Sequence, residues 1–214
     1  MERNDLEIDN LPNRLTFFRL LMIPVVVTIL YFSDHTPEIL LPIQKFLGDI
    51  ACVIFIIAGV TDFFDGYIAR KRNIVTVFGS FLDPIADKFL VVSSLIMLMG
   101  LERIHPVIVI ILVLREMYMT SLRLLAMTEG IVVPVSSLGK WKTTTQMIAI
   151  PFLMIYEPVF GIPVEMIGDI LLYFAALLSL WSALLYSISM IGKLREKRLL
   201  KKKHKRKKFA KDIQ

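Results

Sequence analysis

Apolar residues run through this chain in long blocks separated by short polar loops, and the blocks predict six helices. They are Leu15–Phe32, Phe46–Ala69, Phe81–Leu101, Pro106–Met127, Thr143–Tyr156 extended a little at either end, and Ile167–Ile191. Each is near the ~20 residues that a helix needs to cross a bilayer. The fifth is the shortest and is interrupted by Pro151, so its ends are the least defined. The first is too long, and lacks the small-residue cleavage site, to be a removable signal peptide. Pro12, Pro37, Pro42, Pro134, Pro158 and Pro163 fall at the predicted boundaries, as expected of a residue that punctuates helices. No repeat of 20–50 residues is visible.

Composition agrees with a polytopic, all-α membrane protein. Hydrophobic residues make up 56% of the chain and the mean hydropathy is +0.66, a balance that leaves 214 residues no room for a separate soluble module. With six spans, Arg70, Lys71 and Arg72, then Lys140 and Lys142, then the tail from Lys193 to Lys211 all fall on one side of the membrane. Asp34, Glu38, Glu102, Glu157 and Glu165 fall mostly on the other. The positive-inside rule makes the basic side cytoplasmic, which puts both termini inside. Residues 1–192 form the transmembrane domain and 193–214 a basic cytoplasmic tail. That tail cannot bury a core and is expected to be a frayed helix passing into disorder. Attraction to an anionic lipid bilayer explains it better than nucleic-acid binding, because it lacks the interleaved aromatics of a single-strand platform. Cys52, the one cysteine, cannot make an intramolecular disulfide and is read as a packing residue.

Four carboxylates stand out against this background: Asp62, Asp65, Asp83 and Asp87 lie in or against apolar sequence, where an unpaired charge costs several kcal/mol. Asp62 and Asp65 are three apart and Asp83 and Asp87 four apart, so each pair shares one face of its helix. The short linker Lys71–Phe78 makes the two helices antiparallel neighbours, and the four carboxylates converge. Such hard oxygen ligands suit Mg²⁺, Mn²⁺ or Ca²⁺ rather than zinc; the bland alternative is a salt-bridge network with Arg70, Lys88 and Arg115. Gly66 and Ala69 remove bulk beside the site, and Arg70 offers a forked donor suited to phosphate.

The spacing Asp62-x2-Asp65-Gly66-x2-Ala69-Arg70-x8-Gly79-x3-Asp83-x3-Asp87 resembles the signature of the CDP-alcohol phosphatidyltransferases, membrane enzymes of phospholipid synthesis. Eight fixed positions would coincide by chance roughly once in 10¹⁰ trials, so the match is specific. Leu11-Pro12-Asn13-x-Leu15-Thr16-x-x-Arg19 with Pro24, then Arg115-Glu116, then Leu138-Gly139-Lys140-x-Lys142-Thr143-Thr144 look like the bacterial phosphatidylglycerophosphate synthases within that family. The resemblance runs from about Leu11 to Tyr156. Beyond it the last apolar segment is similar only in character, and the basic tail is not covered.

This resemblance implies a cytoplasm-facing polar active-site cavity at the inner (cytoplasmic) membrane. Asp62, Asp65 and Asp83 would be ligands of Mg²⁺, with Mn²⁺ as an alternative, and Asp87 both a ligand and the general base. Gly66, Ala69, Arg70 and Gly79 would lie against the CDP-lipid, with Gly66 and Arg70 on its pyrophosphate and cytidine. Thr76 falls where relatives place a further CDP contact, although an ordinary loop hydroxyl is the plain reading. Asn13 and Thr16 read either as headgroup contacts or as N-caps preceding the first helix. The implied reaction transfers the phosphatidyl group of CDP-diacylglycerol to an alcohol, giving CMP. No covalent enzyme intermediate is needed, since no Ser, Cys or His constellation accompanies the aspartates.

The cations bear on the acceptor. Arg115 and Arg123 are eight apart and share a face. Arg115 lies within a span and needs a partner; the adjacent Glu116 is expected to point elsewhere, which leaves a phosphate or an aspartate. Lys140 and Lys142 serve either a phosphate or the positive-inside rule. Lys88, next to Asp87, is expected on a different face, at the lipid interface or behind the site. His35, His105 and His204 show no ligand spacing. A cation set of Arg115, Arg123, Lys140 and Lys142 favours glycerol 3-phosphate over inositol phosphate, serine or phosphatidylglycerol. A cation transporter with an aspartate-lined path would need acidic groups on further spans, and the first, fourth and fifth have almost none. A homodimer stays open, because no single apolar face stands out among spans that are apolar throughout.

Overall fold

The computed structural model describes residues 11–35, 40–72, 77–131, 137–155, 158–159 and 161–212. For 11–13, 34, 62–72, 77–84, 201 and 203–212 it describes the backbone alone. These residues form six helices: α1 Leu11–Asp34, α2 Leu41–Arg72, α3 Val77–Gly100, α4 Pro106–Thr128, α5 Ser137–Met154 and α6 Val164–Asp212. Among the described residues there is no strand, only an isolated bridge between Val159 and Ile162.

Local chemistry accounts for the ends. Pro12, Pro42 and Pro106 sit in the first turns of α1, α2 and α4, where a missing N–H loses nothing. His105 caps α4: its Nδ1 accepts from the Val107 N–H at 3.4 Å, one of the groups a helix start leaves open. At the other end Gly130 takes a left-handed φ of 59°. Its N–H reaches the Met127 carbonyl at 3.0 Å and that of Ile131 the Ala126 carbonyl at 2.8 Å, closing the helix in a Schellman turn. The turn after α3 is built alike on Glu102, at φ 58°, a conformation an L side chain adopts at some cost. The turn delivers Arg103 onto α5, where its NH1 donates to the carbonyls of Leu153 at 2.8 Å and Ile155 at 2.9 Å. Those carbonyls have no partner within the helix.

The main core joins all six helices through Leu30 of α1, Phe55 of α2, Leu95 of α3, Leu112 of α4, Ile150 of α5 and Leu172 of α6, each fully or almost fully buried. Small residues set how closely the backbones approach. A Cβ at Gly168 of α6 would come within 2.7 Å of Leu153 Cγ on α5, and one at Gly59 of α2 within 2.7 Å of Met147 Cε. Helices in lipid associate through such close packing. Leu21, Phe46, Met127 and Leu177 are meanwhile all well exposed. An apolar exterior on this scale suits contact with hydrocarbon rather than water, and this is a membrane protein.

Three helices are long and apolar enough to cross a membrane: α1 over Arg14–Ser33, α2 over Leu41–Thr61 and α6 over Val164–Leu200. The other three expected spans are helices too. However, α4 carries Arg115, Glu116 and Arg123, and α5 is 18 residues long and opens with Lys140 and Lys142.

Two expectations change here. Asn13 and Thr16 lie inside α1, which starts at Leu11, so neither is an N-cap. The basic tail is not frayed: α6 continues unbroken to Asp212, 49 residues in all. Lys, Arg and Leu are good helix formers, no Gly or Pro follows Gly192, and extending a formed helix needs no new nucleus. Lys197 also ties α6 to the end of α4, donating to the Glu129 carbonyl and approaching its carboxylate at 3.4 Å.

Candidate active site

A cavity of about 630 Å³ opens among α1 to α5, with Arg19, Asp87, Lys88, Arg115, Glu116, Arg123, Lys140 and Lys142 in its walls. Six cations face two carboxylates among its described lining residues. Cations in this number suit an anionic ligand.

Each wall is set by an ion pair between helices. On one, the fully buried Arg19 of α1 donates from NH1 to Asp87 Oδ1 of α3, whose side chain is 43% exposed. A carboxylate so placed is oriented by a guanidinium that burial holds rigid, and still has an open side toward the cavity. Lys88 was expected on a different face, yet it lines the same cavity and donates to Thr120 Oγ1 of α4 at 2.7 Å. Its long stem carries the ammonium across the direction its Cα sets.

On the other wall Glu116 does not point away from Arg115. Arg115 NH1 donates to Glu116 Oε1 at 3.0 Å, and Lys142 Nζ of α5 donates to the same oxygen. Adjacent Cβ atoms diverge on a helix, but two long side chains can still meet beyond them when both seek a partner at low dielectric. Arg115 is buried and also donates from Nε to the Ser179 carbonyl at 3.3 Å and from NH2 to Ser182 Oγ at 2.7 Å. Among the described residues its partners are therefore Glu116 and α6. Lys142 is buried as well, whereas Arg123 and Lys140 are exposed in the cavity.

The remaining candidates are placed by their helices. Asp62, Asp65, Gly66, Ala69 and Arg70 lie in the last turns of α2, and Gly79 and Asp83 in the first turns of α3; their side chains, and that of Asn13, lie outside the described residues. Thr76 lies outside altogether. Both backbones are helical through the aspartates, so each pair does share a face at its i,i+3 or i,i+4 spacing. The two helices touch only sparsely among the described residues, each packing instead on α1. Thr16 is buried within α1 and is not among the cavity's described lining residues. No group of three or more metal-binding side chains forms among the described residues. The donors on offer are nevertheless all carboxylate oxygens, with Asp87 open toward the cavity, and that fits a hard divalent cation.

The sequence gives Arg19 only as part of a motif and turns Glu116 away from Arg115, so neither is expected at the site. Arg19 carried a signal, because a guanidinium inside an apolar span demands a partner as Arg115 does.

Residues 9–181 match the family described as CDP-alcohol phosphatidyltransferase; the chain belongs to that family. The match extends past Tyr156 into α6 and takes in Ser179. Similar proteins include one from Rickettsia bellii, 39% identical over 173 residues, covering 80% of this chain and 90% of the relative. Another is from Bacillus subtilis, 38% identical over 184 residues, covering 84% and 90%. A third is from Haemophilus influenzae, 39% identical over 181 residues, covering 83% and 91%. Each is named CDP-diacylglycerol–glycerol-3-phosphate 3-phosphatidyltransferase.

Proposed function

We propose that this chain transfers the phosphatidyl group of CDP-diacylglycerol to glycerol 3-phosphate, forming phosphatidylglycerophosphate and CMP in the synthesis of anionic phospholipid. The observation that carries this reading is the cavity itself, six cations and a half-exposed Asp87 beside the signature helices. A strongly positive hole is wasted on an uncharged acceptor and suits a phosphorylated one.

Asp87 takes the proton from the primary hydroxyl of glycerol 3-phosphate. The oxygen attacks the β-phosphorus of CDP-diacylglycerol, its bond to the bridging oxygen breaks, and CMP leaves with that electron pair. Arg19 holds Asp87 aimed at the cavity. Gly66, Ala69 and Gly79 let the pyrophosphate approach α2 and α3, Arg70 and Thr76 hold the CDP moiety, and Asn13 and Thr16 lie toward its headgroup end. Arg123, Lys140 and Lys142 form the set that receives the acceptor's phosphate, and Arg115, expected among them, supports that set from behind through its bonds to Glu116 and α6. Asp62, Asp65, Asp83 and Asp87 would hold Mg²⁺, or Mn²⁺, which offsets charge developing on the pyrophosphate oxygens.

All six helices cross the inner membrane, with both termini and the cavity on the cytoplasmic side, so that a lipid and a water-soluble substrate meet at one interface. Residues 1–192 are the enzyme and 193–214 a basic extension over anionic lipid; a homodimer is compatible with this arrangement. The test is release of CMP by purified protein in detergent, given CDP-diacylglycerol, Mg²⁺ and one acceptor at a time. Glycerol 3-phosphate should far exceed inositol phosphate, serine, phosphatidylglycerol and glycerol; preference for any of these would reassign the acceptor.

A further inference from the structure

Arg115 and Lys142 do not enter the cavity wall as free cations. Every nitrogen of the Arg115 guanidinium is committed: Nε to the Ser179 carbonyl, NH2 to Ser182 Oγ and NH1 to Glu116 Oε1. Ser182 Oγ in turn donates to the Ser179 carbonyl at 3.0 Å. Arg115 is thus a rivet between α4 and α6. Lys142, 3% exposed, donates to that same Glu116 oxygen. Glu116 therefore joins α5 to the α4–α6 unit, and its own side chain, 20% exposed, borders the cavity.

A carboxylate in a wall meant for a phosphate dianion weakens binding by repulsion unless it supplies something in return. What it supplies here is position. Lysine is a point charge on a flexible four-carbon stem whose rotamer freedom must be given up when it binds an anion. Pairing one of the three Nζ donors with Glu116 removes that freedom in advance and leaves the other two for a ligand. Among the described residues no carboxylate fixes Arg123 or Lys140 in this way, and both are exposed at the cavity wall.

We propose that Glu116 is a positioning residue that fixes the Lys142 ammonium toward the acceptor's phosphate, and that Arg115 holds Glu116 against α6 instead of touching substrate. This rests on the proposed reaction. It predicts that Glu116 acts through Lys142 and through nothing else that binds the acceptor.

A double-mutant cycle tests it, with CMP release measured on full-length protein in CDP-diacylglycerol micelles for wild type, Glu116→Gln, Lys142→Met and the double variant. Glutamine keeps the shape and an acceptor oxygen but loses the charge. Glu116→Gln should raise KM for glycerol 3-phosphate about tenfold, the difference between a charge-assisted and a neutral hydrogen bond, with KM for CDP-diacylglycerol and kcat changed far less. In the Lys142→Met background the same change should add less than about twofold. An undiminished effect in that background, or equal rises in both KM values, would overturn the proposal. Should Glu116→Gln fail to fold, Glu116→Asp keeps the charge with a shorter reach and should raise the acceptor KM alone; an unchanged KM would equally overturn it. A wild type that releases no CMP with glycerol 3-phosphate sinks the proposed reaction instead, a separate outcome.

Discussion

Two walls of one cavity use the same chemistry in opposite senses. At the α1–α3 wall the carboxylate, Asp87, is the group that the proposed reaction uses for chemistry, and the cation, Arg19, is the buried support. At the α4–α5 wall the proposed reaction has Arg123, Lys140 and Lys142 meet substrate, and the carboxylate, Glu116, lies between Arg115 and Lys142 as the support. In each case the supporting residue is the one whose charge opposes the function of its wall. A proton acceptor has to be held in one orientation, which a buried guanidinium does. An anion site has to hold several like charges together, which a carboxylate between them makes tolerable. On the proposed reaction the walls divide the labour, proton transfer on one side and acceptor recognition on the other.

The largest effect should come from the first wall. Asp87→Asn removes the proton acceptor and should lower kcat by roughly 10²–10⁴-fold while the protein stays folded; turnover within a few-fold of wild type would deny Asp87 that role. Asp62→Asn and Asp65→Asn should differ in kind, their loss of rate being partly recovered at raised Mg²⁺ or Mn²⁺. A defect insensitive to metal concentration would separate these aspartates from metal binding.

Smaller and opposite in character is the expected result at the second wall. Lys140→Ala or Arg123→Ala should raise KM for glycerol 3-phosphate about tenfold, the loss of one charge-assisted contact, with KM for CDP-diacylglycerol little changed. The reverse split, lipid KM raised and acceptor KM steady, would move these cations to the CDP pocket and dissolve the contrast between the walls.

Much of this was legible in the chain, for reasons that also mark where it stopped. Long apolar runs locate helices well because a span must be apolar for its whole length. They define ends poorly, since nothing apolar records where a helix continues into water. So α1 begins before Leu15, and α6 runs on to Asp212. In the site, the groups proposed to meet substrate stand out through spacing or through being cations in apolar sequence. Their supports did not. Arg19 meets Asp87 across 68 positions, a separation no local period encodes. Glu116 was set aside by the rule that neighbours on a helix diverge, which holds for Cβ directions but not for where a long side chain ends.

The smallest effect belongs outside both walls. Removing the residues after Lys197 should leave activity in detergent near wild type, because the contact of Lys197 with Glu129 survives and no cavity residue is lost. Binding to anionic vesicles should weaken, each basic residue near such a surface being worth about 1 kcal/mol. A folded truncation without detergent activity would show that α6 does more at the site than anchor Arg115.

The division of labour is tested most directly by binding without turnover. Glycerol 3-phosphate is titrated calorimetrically into Asp87→Asn protein already loaded with CDP-diacylglycerol and Mg²⁺ in micelles. The inactive variant should still bind the acceptor, and adding Lys142→Met should weaken that binding about tenfold or more. Equal affinity with and without Lys142, or no acceptor binding once Asp87 is changed, would contradict the account.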